Sequence, residues 1–322
     1  MKSYILRRLL NLIPLLIGIS FLTFLLMELA PGDFLTTIAQ NDAIPPELIE
    51  SMRARFGLDK PWPERYLLWL RNILFQFDFG ESFSYRQPVF TVISGRLGNT
   101  LLLALAASLI TWLLAIPLGV LSAVRQYTKW DKVASLFSFV GLSIPEVFFS
   151  LLLLFFAAKT GWFPTGGMRD LDWDYYSTGG KILDILHHLV LPAIVLGTIP
   201  MASRMRQMRA NLLDVLRVEY VTTARAKGLD ERTVIWKHAV RNAINPLITL
   251  FGFTLASLLS GSFIVEIIMA WPGLGSLTLE ALRRQDLYLV MGSVLMASTM
   301  LVIGNLVADI LLAIADPRIR YD

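Results

Sequence analysis

The chain has 322 residues, of which 55% are hydrophobic and 17% charged; a soluble domain carries about 25% charged residues. With 29 Lys and Arg against 25 Asp and Glu its net charge is +4, and it contains no cysteine. This composition excludes disulfides, thiolate metal sites and cysteine nucleophiles, and it overrides the two or three soluble domains that length alone would suggest.

Crossing a hydrocarbon core of roughly 30 Å takes about 20 apolar residues in a helix. Six stretches qualify, at about 9–30, 99–124, 133–158, 189–205, 246–270 and 289–313, so the expected fold is an all-α polytopic membrane protein with six transmembrane helices. The first follows Lys2, Arg7 and Arg8. It is longer than the apolar part of a secretory signal and lacks a small-residue cleavage site, which makes it a retained span. Three domains are expected: the span 1–30, an external cap segment 31–98, and a five-helix core 99–322 with a cytoplasmic loop at about 206–245. Within the cap, Pro45-Pro46 opens an amphipathic helix that Gly57 stops, and Pro61 and Pro63 introduce a second. This is too little core for an independent domain. Glu28 is expected to be solvated at the outer interface.

Glu146 falls near the middle of the third stretch, with Ser143 three residues behind and Ser150 four ahead, so one helical face is expected to carry all three. An acid at bilayer depth is a functional hypothesis by default, and this stripe could line a water-filled path or be a paired seam between helices. The next outer loop, 161–188, is acidic (Asp170, Asp172, Asp174, Asp184) and aromatic (Trp162, Trp173, Tyr175, Tyr176), consistent with interfacial anchoring or contact with an external partner. The fourth stretch contains Pro192 and Pro200, tolerated where neighbours satisfy the freed carbonyls.

Beyond it lies a charged segment. The helix from the fourth stretch is expected to run past Leu212, Leu213, Leu216 and Glu219 and to stop at Gly228 in the left-handed conformation. Arg225 and Lys227 would sit in its last turn and Leu229 would follow. Asp230 then caps a second helix bearing Val234, Ile235, His238 and Ala239 on one face, which ends before Pro246. Residues 204–246 hold nine basic against four acidic side chains, so this one loop accounts for the net positive charge. The short loops assigned inside carry seventeen Lys and Arg and those outside four, which places both termini in the cytoplasm. The charge therefore reflects topology and not a nucleic-acid partner. Glu266, one turn beyond Ser262 in the fifth stretch, is a gate or an anchor; Asn305 and Asp309 suit helix-packing hydrogen bonds. His187, His188 and His238 lack carboxylate or Cys companions at ligand spacing, and no metal site is expected.

Ala224-Arg225-Ala226-Lys227-Gly228-Leu229, preceded by Glu219-Tyr220 and followed by His238, Arg241-Asn242-Ala243 and Pro246, resembles the cytoplasmic EAA loop of ABC importer permeases, in the version of the dipeptide/oligopeptide/nickel family. The triplet itself is replaced by Thr222-Thr223-Ala224. Further landmarks are Pro31-Gly32-Asp33, Phe56-Gly57-Leu58-Asp59-Lys60-Pro61, Leu191-Pro192, Glu266, Trp271-Pro272-Gly273-Leu274-Gly275 and Asp316-Pro317-Arg318-Ile319-Arg320-Tyr321. Together they extend the resemblance over nearly the whole chain and favour the first of the two permease paralogues. It implies a type I importer permease in the cell membrane, assembled with a second homologous permease, two ABC ATPases and an extracytoplasmic solute-binding protein, and surrounded by lipid. Glu219, Tyr220, Ala224 to Gly228 and Leu229 would form the ATPase-coupling element. The chain has no G-x-x-x-x-G-K-[ST] loop, so no catalytic residue and no cofactor are expected in it, Mg-ATP being bound by the partner ATPases. Substrates would be di- or oligopeptides, or alternatively oligosaccharides or nickel complexes. Ser143, Glu146, Ser150, Ser262 and Glu266 are the candidate path residues. An ion-coupled carrier using Glu146 and Glu266 as proton sites would call for repeated halves, and no internal repeat is found. A membrane scaffold docking a cytoplasmic enzyme would leave the Glu146 acid unexplained.

Overall fold

A computed structural model describes residues 2–39, 45–55 and 57–315. The Phe56 landmark and the terminal series 316–321, with Arg318 and Arg320, lie outside the described residues. Apart from one antiparallel bridge, Glu81 with Pro88, every regular element among the described residues is a helix. In chain order these are α1 (Lys2–Leu29), α2 (Phe34–Ala39), α3 (Pro46–Arg55), α4 (Trp62–Gln76), α5 (Val89–Val124), α6 (Lys129–Ser143) and α7 (Glu146–Thr160). There follow α8 (Thr178–Val215), α9 (Glu219–Ala226), α10 (Glu231–Thr233), a π-helical segment Val234–Val240, α11 (Arg241–Ala243), α12 (Asn245–Ile268), α13 (Leu274–Arg283) and α14 (Leu287–Ala315). A short 3-10 turn, Trp173–Tyr175, lies in the loop before α8.

The helices α1, α5, α8 and α14 are each long and apolar enough to cross a membrane; α6 and α7 together make a fifth candidate, bent by 106°. That bend corrects the expectation of a continuous third span. Ile144 precedes Pro145 and is extended (ψ 121°), because the proline ring disfavours the α conformation in the residue before it. Pro145 then serves as N-cap of α7, where its missing N–H costs nothing. The second span begins ten residues earlier than expected, at Val89, and α8 takes in residues 178–188 of the expected outer loop. Ser177 starts α8 by accepting the Gly180 N–H at 3.3 Å. Pro192 and Pro200 remain inside that helix without ending it.

Two compact units are defined by internal contacts among the described residues, Leu101–Trp271 with residues 301–315, and Lys2–Thr100 with Pro272–Met300. In the first, Leu103, Ala107, Leu189, Leu196, Leu258 and Trp271 form the main core, drawn from α5, α8 and α12 and the turn after it. Helices approach closely where side chains are absent: a Cβ on Gly119 of α5 would lie 2.7 Å from the Met208 Cβ of α8. A second core of the same unit, Val120, Met208, Leu212, Val221, Ala224, Val234 and Leu247, sits under the charged loop. In the other unit Phe24, Tyr66, Trp69, Phe83, Leu287 and Met291 form the core, each such side chain contributing about 1.5–3 kcal/mol by burial. The 31–98 segment belongs here with α1. Its α3 starts at Pro46 and ends just before Gly57, and α4 starts just after Pro61, as expected; Phe77 ends α4 in the left-handed conformation at φ 53°.

Candidate functional site

The charged loop is built as a corner. Helix α8 ends at Val215, and Val218 adopts an extended conformation (ψ 145°) before α9 begins at Glu219, so the expected single helix through to Gly228 is broken one turn after Leu212. Helix α9 buries Val221 and Ala224, three residues apart and so on one face, against the core beneath. Its other face is in solvent: Glu219, Tyr220, Thr222, Thr223, Arg225, Ala226 and Lys227 are exposed. Gly228 takes φ +74°, the left-handed conformation expected of it, and a Cβ there would meet nothing within 4 Å. Asp230 caps α10, accepting the Thr233 N–H at 3.0 Å.

Two cross-links hold the corner. Arg225 forks onto Glu231 across the turn, with Nη2 to Oε1 at 2.7 Å and Nε to Oε2 at 3.1 Å. This hydrogen-bonded pairing holds the Glu231 carboxyl below and the Arg225 guanidinium above their ordinary ranges. Asn242 donates to the Tyr220 hydroxyl at 2.8 Å and to the His238 carbonyl at 3.0 Å. Between these links the chain is π-helical rather than α-helical. The wider turn changes the facing pairs to i, i+5, and Val234 with Ala239 and Ile235 with Val240 are the buried residues, while His238, expected on that face, is half-exposed. The corner presents Tyr220, Leu229 and Trp236 at 39%, 41% and 50% exposure, an apolar set bordered by Arg225, Lys227 and Arg232.

Of the candidate path residues, Ser143 alone is separated from its expected stripe, while Glu146 with Ser150 and Ser262 with Glu266 stay one turn apart. Ser143 ends α6 and Glu146 begins α7 on the far side of the 106° bend, so they share no helical face. Ser143 is exposed and donates to the Phe139 carbonyl at 2.8 Å. Ser150 is fully buried and donates to the Glu146 carbonyl at 2.9 Å. The Glu146 Oε1 atom is shielded from solvent and has no hydrogen-bond partner among the described residues. Ser262 and Glu266 are both buried on α12, the serine donating to Oε1 at 3.0 Å across one turn. Asp309 of α14 is buried.

Sequence reasoning missed two carboxylates at which chain segments converge. Asp131, 4% exposed, accepts Arg209 Nε at 2.8 Å and Nη2 at 2.9 Å, the Tyr127 N–H at 2.9 Å, and the Ser122 hydroxyl. It thereby ties α5, α6 and α8 together beneath the corner. Asp286, fully buried in the other unit, accepts the Ser82 hydroxyl at 2.6 Å and the Ser84 N–H at 2.8 Å while capping α14. These partners stand 78 and about 200 positions away in sequence, and no periodic pattern announces them. Glu28, expected to be solvated, is paired with Arg65 at 2.5 Å. His188, expected to lack a carboxylate companion, has Asp184 Oδ1 3.2 Å from Nδ1. Among the described residues no group of three or more His, Asp or Glu is placed to hold a metal ion. In the 161–177 loop Tyr176 donates to Asp170 at 2.9 Å, which holds that carboxyl below its ordinary range, and Arg169 lies over the Trp173 ring at 4.6 Å.

Comparison with known proteins assigns this architecture. The family described as "Binding-protein-dependent transport system inner membrane component" matches residues 115–321, and its N-terminal companion, "Binding-prot-dependent transport system membrane comp, N-term", matches residues 1–104. The chain is 44% identical to the oligopeptide transport system permease protein AppB of Bacillus subtilis over the whole of both chains. It is 38% identical to the di/tripeptide transport system permease protein DppB of Pseudomonas aeruginosa and 36% identical to the dipeptide transport system permease protein DppB of Escherichia coli, covering all of this chain and 99% of each relative. Among solved structures, a chain of the inward-facing MetNI methionine ABC transporter matches with a TM-score of 0.54 at 16% identity, over 70% of this chain and 97% of that one, a likeness of fold alone. The chain thus belongs to the binding-protein-dependent transport system inner membrane components, as a multi-pass, non-catalytic membrane subunit of an ABC transporter.

Proposed function

We propose that this chain is one of two homologous membrane subunits of an ATP-driven importer of di- or oligopeptides, working with two ABC ATPases that bind Mg-ATP and an extracytoplasmic binding protein that delivers the substrate. The observation that carries the peptide reading is the 36–44% identity, over the full length, to permeases named for oligopeptides, di/tripeptides and dipeptides. The corner at Gly228 supports the coupling reading. It is exposed, held by the Arg225–Glu231 and Tyr220–Asn242 links, and offers the apolar Tyr220, Leu229 and Trp236 to a groove on an ATPase. In this reading α12 is the fifth of six spans and both termini are cytoplasmic. Along the path, Glu146 is the acid whose unsatisfied oxygen suits a passing ammonium group. Ser150, Ser262 and Glu266 are buried, and Ser143 stands on the other arm of the bend.

Reconstitution of the chain with its second permease, ATPases and receptor in proteoliposomes tests the proposal. Uptake of a labelled dipeptide that needs both ATP and receptor is expected. Uptake of oligosaccharides or nickel complexes but not peptides would reject the substrate class. ATP turnover by the purified chain alone would reject the division of labour. The orientation is tested separately in this Cys-free chain: a cysteine at Asp230 is expected to be silent to an impermeant external label in intact cells, and labelling there would invert the topology.

A further inference from the structure

The unit containing the 31–98 segment holds a cavity of about 370 Å³ lined by Glu28, Asp33, Arg53, Arg65 and Gln285, with Phe34 and Phe83 on its apolar wall. Arg65 also borders a second cavity of about 380 Å³. Its side chain is only 10% exposed, yet among the described residues its five N–H donors meet one protein acceptor, Glu28 Oε2 at 2.5 Å, and Nε is buried without a partner. Burying a guanidinium with so few acceptors is costly unless something else completes the shell. The second ion pair on the cavity, Arg53 with Asp33 at 3.3 Å, is looser and more exposed, and one Asp33 oxygen is already used in accepting the Thr36 N–H at 2.7 Å.

The charge count decides what class of ligand fits. Two cationic and two anionic side chains, Arg53, Arg65, Glu28 and Asp33, face the cavity. A ligand of net charge would leave one of these groups without a counter-charge, Arg65 being the most buried of them. A zwitterion would exchange partners with the existing pairs and leave the balance unchanged. The volume lies at the low end of the roughly 300–1,000 Å³ typical of small-molecule sites, enough for a short molecule with an apolar side chain.

We propose that this cavity is a binding subsite for a short zwitterionic peptide, with Arg65 and Arg53 taking the carboxylate, Glu28 and Asp33 the ammonium group, and Phe34 and Phe83 the side chain. This rests on the reading of the chain as a peptide permease and adds a contact with the substrate made by the permease itself.

Saturation-transfer NMR on the receptor-free complex with its second permease and ATPases tests it, using alanylphenylalanine, its C-terminal amide and its N-acetyl derivative. The free dipeptide is expected to bind, and each derivative to bind roughly tenfold more weakly, about the worth of a hydrogen bond to a charged group. The paired change Glu28→Gln with Arg65→Gln keeps shape and hydrogen bonding while removing both charges, and is expected to weaken the free dipeptide to the level of its derivatives. Should that variant fail to assemble, Arg53→Gln in the more exposed pair is expected to weaken the free dipeptide and leave the amide unaffected. No transfer to the wild-type complex, equal affinity for dipeptide and amide, or affinities unmoved by the substitutions would overturn the proposal. Receptor-dependent uptake of the same dipeptide separates the two readings: uptake without this binding overturns the subsite alone, and absence of uptake overturns the peptide assignment.

Discussion

Replacing Gly228 isolates the role of backbone geometry at the corner. At φ +74° an L-residue with a Cβ is strained by about 1–2 kcal/mol, while the Cβ itself meets no atom within 4 Å. Any effect must therefore come from conformation and not from crowding. A penalty of that size lowers the share of chains holding the native corner by roughly 5- to 30-fold relative to any competing turn. The Arg225–Glu231 link, solvent-exposed on both sides, offsets only a fraction of it. Asparagine visits the left-handed region far more readily than alanine or valine. The series Gly, Asn, Ala, Val should then rank coupled transport in that order, although Asn is larger than Ala. The assay is receptor- and peptide-stimulated ATP turnover with uptake in proteoliposomes, normalised to the amount of assembled complex, which should be unchanged. Full uptake by Gly228→Val would refute the coupling role, and Asn performing worse than Ala would refute the strain argument and point to crowding against a partner.

Three further outcomes are expected. Asp131→Ala should destabilise the assembled complex by about 3 kcal/mol, the lower end for removing one partner of a buried pair because Arg209 keeps some solvent, as read by its melting temperature; a loss under about 1 kcal/mol would deny it a structural role. Glu146→Gln keeps the side chain's size and removes charge from an oxygen that has no partner to lose among the described residues, so assembly should be retained while uptake of amine-bearing peptides falls more than that of neutral ones; loss of assembly with unchanged substrate ranking would make Glu146 a packing residue. Arg225 holds Glu231 below its ordinary value of 4.5, so the pair's small contribution is present above that pH and is lost as pH falls through the lower folded value. Hydrogen-exchange protection at 227–233 should be level from pH 8 to 5 and drop below 4.5, and protection that fell on raising the pH would contradict the pairing.

Much of this could be read from local sequence. The left-handed turn at Gly228, the Asp230 cap, the limits of α3 and the start of α4 depend on residues within a few positions of one another, where propensity and capping decide. Failures came where local preference competes with itself or with distant partners. Pro192 and Pro200 lie inside α8 without ending it, yet Pro145, with an equally apolar flank, breaks its helix sharply. The difference is visible in three dimensions alone. The Asp131 and Asp286 junctions draw on segments far apart in the chain, and a lone aspartate between lysines looks like a solvated helix start. A straight third span would carry Ser143 and Glu146 on one face, and the bend at Pro145 separates them.

The π-helical stretch from Val234 to Val240 carries one residue more than an ordinary α-helix needs to make the same turn. It lies in the chain between the Gly228 corner and α12, inside one compact unit. Drawing that residue into regular α register would turn everything beyond it by about 100° and advance it by roughly 1.5 Å, with the backbone hydrogen-bonded before and after. Geometrically the segment holds one residue of slack: taking it up would displace α12 as a screw of fixed size, where a hinge would give a swing of arbitrary angle.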